Sequence, residues 1–142
     1  MRPQRALADL DGYLAQWSAL HGLQPHGLVR TWLTLTYTLA GPLARLRVPP
    51  NALTLLGLVT AGLAAPLARA GGRWALLAAV AIVLSGLLDN LDGAVAVLTG
   101  RVTAWGSLLD SVTDRLSDLA YVVALLVLAG VTGRHVLWAA VA

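Results

Sequence analysis

The chain has 142 residues, of which 58% are apolar and only 12% are charged. A typical soluble domain has about 25% charged residues, so this composition excludes a disordered chain, a coiled coil and an ordinary water-soluble nucleic-acid binder, and it indicates a membrane protein. All ten basic residues are Arg, all seven acids are Asp and Cys is absent, which leaves no basic patch for nucleic acid and excludes disulfides and Cys-ligated zinc.

The first 47 residues predict interfacial helices. Within residues 1–26, apolar side chains recur at the three- and four-residue spacing of a helix: Leu7, Leu10, Leu14 and Trp17. This spacing predicts a short amphipathic helix that rests on a membrane surface or on a partner helix and ends at Gly22. Residues 28–47 are apolar but contain four Thr, and Gly41-Pro42 is expected to break the run. They fall short of the about 20 apolar residues that a span needs, so a second interfacial helix is predicted.

Three apolar segments follow the break at Pro49-Pro50, and each is long enough to cross a bilayer. They cover residues 51–70, 74–98 and 103–129. A fourth apolar segment begins at His135 and occupies residues 135–142. We therefore expect an all-α integral membrane protein, with three full spans and the start of a fourth, in a single domain (1–142) that is incomplete at its C-terminus.

The distribution of Arg predicts the orientation. The N-terminal lead and the loop after the second span lie on one side and hold six Arg: Arg2, Arg5, Arg30, Arg45, Arg47 and Arg101. The other side holds Arg69, Arg73 and Arg134. Because the side richer in Arg is cytoplasmic, we expect the loop at residue 101 to face the cytoplasm.

Five of the seven Asp lie inside the predicted spans: Asp89, Asp92, Asp110, Asp114 and Asp118. A charge at the bilayer centre costs about 2.5–3.5 kcal/mol on insertion scales, so such residues face a protein interior or a polar cavity. Asp89 and Asp92 are three residues apart and share one helix face, as do Asp110 and Asp114, which are four apart.

The spacing also sets the depth of these carboxylates. Asp92 and Asp110 each lie nine residues from Arg101, whereas Asp89 lies twelve and Asp114 thirteen residues away. At 1.5 Å per residue, the inner pair lies about 13 Å and the outer pair about 19 Å from the turn. If the two helices form a hairpin, the four carboxylates meet as two facing pairs.

Four clustered carboxylates need protons or cations to compensate their charge. An all-oxygen cluster suits Mg²⁺, Mn²⁺ or Ca²⁺ rather than zinc, and Mg²⁺ held in this way commonly shares its shell with substrate phosphates. Two such ions would clamp an in-line phosphoryl displacement. Gly93 and Gly106 would let the two helices approach closely or would leave room for a ligand.

Residues 89–114 read D-N-L-D-G-A-V-A-V-L-T-G-R-V-T-A-W-G-S-L-L-D-S-V-T-D. This segment resembles the motif of the CDP-alcohol phosphotransferase (phosphatidyltransferase) family, D-x2-D-G-x2-A-R-x8-G-x3-D-x3-D. The matched positions are Asp89, Asp92, Gly93, Ala96, Gly106, Asp110 and Asp114. One position departs, because Val97 stands where the family has Arg. If that Arg helps to hold the substrate diphosphate, its loss weakens binding unless Arg101 substitutes for it.

A second match lies upstream. Pro50-Asn51-Ala52-Leu53-Thr54 is similar to the P-N-x-L-T at the start of the family's first span, where the Asn and Thr line the nucleotide pocket. The alternative for Asn51 and Thr54 is helix capping, since Asn is a favoured N-cap residue. The family also has an amphipathic helix before this point, which fits residues 28–47, and usually six spanning helices.

The resemblance implies a transferase of phospholipid biosynthesis that uses CDP-diacylglycerol and a polar alcohol acceptor and releases CMP. It implies a two-metal site for Mg²⁺ or Mn²⁺ formed by Asp89, Asp92 and Asp110, with Asp114 as general base and further metal ligand. The expected binding positions for the CDP-linked substrate are Asn51, Thr54, Gly93, Ala96 and Gly106. The resemblance also suggests a homodimer in the cytoplasmic membrane, with the active site facing the cytoplasm and no nucleic-acid partner.

The acceptor is less closely defined. Asp114-Arg115-Leu116-Ser117-Asp118 resembles the D-R-x-S-D of bacterial phosphatidylinositol-phosphate synthases, which favours inositol phosphate, with glycerol 3-phosphate as the competitor. Asp118 is equally explained as a partner of Arg115. Two alternative functions remain open: a family member that binds CDP-lipid without turnover, and a cation-binding or transport protein. The alternative for the four motif Asp is a hydrogen-bonded polar core without catalysis.

Overall fold

The computed structural model describes residues 9–130, which form five helices with no strand among them. The helices are α1 (Leu10–His21), α2 (Gly27–Arg45), α3 (Pro50–Ala70), α4 (Arg73–Thr99) and α5 (Ala104–Leu128). The expected all-α fold is confirmed. The predicted fourth segment at 135–142 and the first eight residues lie outside the described residues.

The predicted helix near the N-terminus is present as α1. It begins where the Asp9 side chain accepts a hydrogen bond from the Gly12 N–H at 2.8 Å, which satisfies one of the free N–H groups of a first helical turn. It ends at Gly22, whose φ of +68° lies in the left-handed region that favours glycine. The rings of Tyr13 and Tyr37 lie 5.5 Å apart, so α1 packs on α2.

The predicted break at Gly41-Pro42 is wrong, because α2 continues to Arg45. Pro42 removes the backbone hydrogen bond to the Thr38 carbonyl, but its fixed φ is compatible with a helix, which continues for one further turn. The Leu46 N–H still bonds to the Pro42 carbonyl at 2.9 Å. The four Thr hydroxyls of α2 each donate to a carbonyl one turn earlier in the same helix, which reduces the cost of placing them in apolar surroundings: Thr31, Thr34, Thr36 and Thr38.

Helices α3 and α4 are long and apolar enough to cross a membrane. Only 33% of the most apolar stretch of α3 and 28% of that of α4 are buried inside the protein, whereas the core helix of a soluble protein would be mostly buried. Most of their apolar surface therefore faces outward, as expected of helices in lipid.

The third predicted span coincides with α5, but α5 is not among the described helices that meet the same length and composition criterion. Its charged residues explain this, since Asp110, Asp114, Arg115 and Asp118 all lie within it. Besides the exposed pair Arg115 and Asp118, its exposed side chains are largely apolar: Trp105, Leu108, Val112, Leu116, Leu119, Val122 and Leu125. The count of three spans stays a prediction.

Helix α3 lies between the other two long helices. It packs extensively against both α4 and α5, whereas α4 and α5 share few direct contacts. Of the two roles expected for Gly93 and Gly106, close approach of α4 to α5 is not observed, and room for a ligand stays a prediction. Gly57 of α3 packs on α4, where an added Cβ would lie at an ordinary van der Waals distance of 3.5 Å from the Leu88 Cβ and the Ser85 carbonyl.

Two buried clusters hold the helices together at opposite ends. The cluster near the α4–α5 turn contains Ala40, Leu53, Leu88, Leu91, Ala94 and Val95. The cluster at the other end contains only alanines: Ala64, Ala68, Ala78 and Ala124. The end with the larger side chains is the end that carries the carboxylates.

Candidate functional site

The turn between α4 and α5 returns the chain to the same end of α3. Gly100 adopts a left-handed φ of +66°, and the Arg101 N–H bonds back to the Ala96 carbonyl at 2.8 Å, which closes the helix end. The Thr103 hydroxyl then accepts the Gly106 N–H at 3.0 Å and starts α5. This short, capped turn fixes the two carboxylate-bearing helices in register.

The carboxylates converge as the spacing predicts. Asp89, Asp92 and Asp110 each offer an oxygen, and these three atoms all lie within 4.8 Å of one another. Asp114 lies close to Asp89, and both side chains line one cavity. Asp92 is only 5% exposed. The structure thus brings together all four predicted metal-binding and catalytic carboxylates.

Thr54 supplies the third side of this cluster from α3. Its hydroxyl is buried and donates a hydrogen bond to Asp92 Oδ2. The capping alternative fails for both upstream residues, because α3 begins at Pro50, its N-cap is Pro49, and no side chain caps it. Asn51 lies inside the first turn, and Thr54 orients a carboxylate oxygen.

A cleft of about 160 Å³ opens beside Asp92 and Asp110. All five predicted binding positions line it: Asn51, Thr54, Gly93, Ala96 and Gly106. Val97, which stands where the family has Arg, and the nearby cation Arg101 line the same wall of the cleft. At Gly106 an added Cβ would lie 3.1 Å from the Thr103 hydroxyl and 3.5 Å from Asn51 Oδ1, so glycine lets the start of α5 approach α3.

The side chains of Asp89 and Asp114 line a second cavity of about 120 Å³. Thr54 lines both spaces, so the carboxylate cluster lies at the boundary between them. Ser85 and Tyr121 also line the second cavity. The sequence reasoning missed both, although Ser85 lies one helical turn before Asp89 and Tyr121 lies two turns after Asp114.

The structure supports the simpler explanation of Asp118. Its carboxylate lies 3.7 Å from the Arg115 guanidinium, and both side chains are largely exposed. An exposed pair of this kind contributes about 0–1 kcal/mol. Asp118 also borders the second cavity, so a role toward substrate stays a prediction.

The donor set fits a hard divalent cation. The three converging ligand atoms are all carboxylate oxygens, and the group found among the described residues contains neither His nor Cys. Mg²⁺ and Mn²⁺ prefer such ligands, and the buried position of Asp92 strengthens the requirement for a compensating charge.

Comparison with known proteins agrees with this geometry. The sequence model for CDP-alcohol phosphatidyltransferases matches residues 47–142. An archaetidylinositol phosphate synthase of Aeropyrum pernix is 46% identical over 88 residues, which is 59% of this chain and 42% of the relative. An archaetidylinositol phosphate synthase of Pyrococcus horikoshii is 41% identical over 76 residues, 54% of this chain and 39% of the relative.

A bacterial relative covers more of the chain. A phosphatidylinositol phosphate synthase of Cutibacterium acnes is 33% identical over 111 residues, which is 78% of this chain and 53% of the relative. The chain thus spans about half or less of the length of these curated relatives, and no solved structure matches it. The family match covers more than half of the chain and contains all four converging carboxylates, and we conclude that the chain belongs to the CDP-alcohol phosphatidyltransferase family.

Proposed function

We propose that this chain carries the reaction centre of a membrane transferase that moves a phosphatidyl group from CDP-diacylglycerol to a hydroxyl of inositol phosphate and releases CMP. The observation that carries the proposal is the convergence of one oxygen each from Asp89, Asp92 and Asp110 within 4.8 Å, close to Asp114 and beside a cleft. A merely structural polar core would not require four carboxylates at one end of the bundle.

Each carboxylate has a proposed role. Asp89, Asp92 and Asp110 would hold Mg²⁺ or Mn²⁺, with Asp114 as a further ligand for a two-metal site. Ions bound there would supply positive charge that neutralises the diphosphate and stabilises the leaving CMP. Thr54 fixes the Oδ2 atom of Asp92 through its hydrogen bond.

Asp114 is the proposed general base. It approaches the cluster from the second cavity, whereas the cleft lies on the side of Asp92 and Asp110. Asp114 takes the proton of the acceptor hydroxyl while the hydroxyl oxygen bonds to the phosphorus attached to the lipid. The bond from that phosphorus to the CMP oxygen breaks, and CMP leaves with the electron pair.

Substrate binding is assigned to the cleft. Gly93 and Ala96 leave its wall free of large side chains, and Asn51 and Thr54 line it from α3. Arg101 supplies a cation on the same wall as Val97, which supports its substitution for the family's Arg in holding the diphosphate.

The proposed acceptor rests on two observations. The relatives that match include synthases named for archaetidylinositol phosphate and phosphatidylinositol phosphate. The D-R-x-S-D sequence at residues 114–118 is present beside the carboxylates. Both favour inositol phosphate over glycerol 3-phosphate.

The proposed location is the cytoplasmic membrane, with the centre facing the cytoplasm. Arg45 is the last residue of α2, Arg47 follows it, Arg101 lies in the α4–α5 turn, and the carboxylates lie at this same end of the bundle. The Arg-rich side of a membrane protein is cytoplasmic. The homodimer stays a prediction.

The test is CMP release by the purified full-length protein from CDP-diacylglycerol with Mg²⁺ or Mn²⁺, scanned over inositol phosphate, glycerol 3-phosphate and other polyol phosphates. We expect release with inositol phosphate and a new lipid product in equal amount. Absence of CMP release with every acceptor would overturn the proposal, and binding of the CDP-lipid without turnover would support the inactive alternative that Val97 motivates.

A further inference from the structure

Buried hydroxyls join all three long helices just beyond the carboxylates. Ser85 of α4 is 2% exposed, and its hydroxyl donates to the Gly57 carbonyl of α3 at 2.7 Å. The Tyr121 hydroxyl of α5 donates to the Ser85 hydroxyl at 2.9 Å. We call the chain Tyr121–Ser85–Gly57 the hydroxyl bridge.

The hydroxyl bridge lies next to Asp89 of α4 and Asp114 of α5. Ser85 is one turn before Asp89 on α4, and Tyr121 is two turns after Asp114 on α5, so each lies on the same helix face as the nearby carboxylate. All four side chains line the second cavity. The bridge therefore links α4 and α5 close to Asp89 and Asp114, on the side away from the α4–α5 turn.

Direct packing between α4 and α5 is sparse, since α3 lies between them. Apart from the short turn that joins α4 and α5, the relative position of Asp89 and Asp114 therefore depends on α3 and on cross-links such as the bridge. Gly57 lies where α3 packs on α4, and its carbonyl is within hydrogen-bond reach of Ser85. In surroundings of low dielectric such hydrogen bonds are strong, and a bridge whose members are all paired is rigid.

We propose that Ser85 and Tyr121 are positioning residues, whose hydrogen bonds hold α4 and α5 at the separation in which Asp89 and Asp114 act at one metal-binding centre. The proposal rests on the proposed function and adds two residues to it. Neither residue needs to touch the substrate. Functional groups must be held within about 0.5 Å of their working geometry, and metal–oxygen bonds of about 2.0–2.1 Å for Mg²⁺ tolerate little displacement.

The variants are Tyr121→Phe, which removes only the hydroxyl that links α5, and Ser85→Ala, which removes both hydrogen bonds. The matched control is Thr60→Val, because Thr60 is a buried hydroxyl of α3 that bonds only to the Leu56 carbonyl of its own helix among the contacts described. Mn²⁺ binding to the full-length protein is measured directly by electron paramagnetic resonance, without turnover. Outer partners of metal ligands typically contribute 10–100-fold to metal affinity or activity, and we expect a loss of about 10-fold in Mn²⁺ affinity for both variants and none for the control.

A second readout separates positioning from general destabilisation. We expect kcat to fall while KM for CDP-diacylglycerol stays unchanged, because the cleft residues are not part of the bridge. The double variant is expected to lose no more than Ser85→Ala alone, since the two residues act through one chain of hydrogen bonds. Unchanged Mn²⁺ affinity in both single variants, or an equal loss in Thr60→Val, would overturn the proposal.

A third readout needs neither metal nor turnover. The chain contains no Cys, so spin labels placed at Val83→Cys on α4 and Leu119→Cys on α5, which are 60% and 61% exposed, report the distance between these helices. We expect Tyr121→Phe to broaden or shift that distance distribution, and an unchanged distribution would contradict the proposal. If the wild-type protein binds Mn²⁺ but releases no CMP, the proposed transfer reaction fails while the Mn²⁺ and distance measurements still decide the role of the bridge.

Discussion

The bundle of α3, α4 and α5 has a different core at each of its two ends. At the far end, the buried residues Ala64, Ala68, Ala78 and Ala124 are at most 5% exposed, and the partly buried Leu67, Ile82 and Val127 pack against them. At the carboxylate end, leucines and Val95 fill the core while Asp, Thr and Ser side chains border two cavities. In a membrane, helices associate through close packing of small residues and through hydrogen bonds rather than through the hydrophobic effect. The alanine end therefore contributes close packing between the helices, whereas the carboxylate end has polar side chains and cavities beside its core.

The largest expected effect is at the carboxylate end. Asp114→Asn keeps the size of the side chain but removes the base, so kcat should fall by about 10²–10⁴-fold, the usual contribution of general acid–base catalysis. The thermal midpoint of unfolding should change little. The matched control is Asp11→Asn, an exposed residue of α1. Full activity of Asp114→Asn would show that the base is assigned wrongly.

The next effect concerns the support of a proposed metal ligand. Thr54→Val keeps the shape of the side chain but removes the hydrogen bond to Asp92. We expect about a 10–100-fold loss in Mn²⁺ affinity, as for other residues that orient metal ligands. Titration with Mn²⁺ measures it, and Thr60→Val again serves as the control. Equal affinities of Thr54→Val and the wild type would remove Thr54 from the site.

At the alanine end the expected effect is on stability alone. Ala64→Leu inserts a large side chain at a fully buried position, and overpacking of this kind typically costs about 1–3 kcal/mol. We expect a lower free energy of unfolding and an unchanged Mn²⁺ affinity in the folded protein. Val122→Leu, on the exposed face of α5, is the control. A change in Mn²⁺ affinity as large as that of Thr54→Val would mean that the two ends are not separable.

The smallest expected effect on stability is at Gly93. No atom lies within 4 Å of an added Cβ there, and replacing a helical Gly by Ala is favourable by about 0.5–1 kcal/mol. Gly93→Ala should therefore fold at least as well as the wild type but raise KM for CDP-diacylglycerol, because the methyl group enters the cleft. Gly62→Ala of α3, where an added Cβ also meets nothing, should leave KM unchanged. An unchanged KM in Gly93→Ala would place the substrate elsewhere.

Local spacing was enough to predict much of the site. The intervals among Asp89, Asp92, Asp110 and Asp114 place them on facing helix sides, because helix rise and periodicity are fixed and the turn at Arg101 is short. The predicted binding positions came from the family resemblance, Gly93, Ala96 and Gly106 from its main motif and Asn51 and Thr54 from the upstream match, and all five line the observed cleft. Helix bounds followed from Pro49, Gly22 and the Gly-rich turns, since these residues have strong backbone preferences.

The contacts between different helices could not be predicted from the sequence. The position of α3 between α4 and α5, the bond from Thr54 to Asp92 and the bridge through Ser85 all depend on how helices pack across the bundle. A single hydroxyl in an apolar helix bonds as easily to its own preceding turn as to a neighbour, as Thr60 does. Pro42 also misled: a proline inside a helix typically costs about 3 kcal/mol, yet α2 continues to Arg45, because tertiary context can override such a local preference.

The most direct test of the central claim is metal-dependent transfer by the purified full-length protein. CDP-diacylglycerol and inositol phosphate are supplied, CMP and the lipid product are both quantified, and the protein is first stripped with EDTA and then reloaded with Mg²⁺ or Mn²⁺. We predict that CMP and inositol-containing lipid appear in equal amounts only after reloading, and that Asp92→Asn lacks this recovery. Transfer that continues undiminished in EDTA, or CMP release without a lipid product, would contradict the assignment of the converging carboxylates to a metal-dependent transferase.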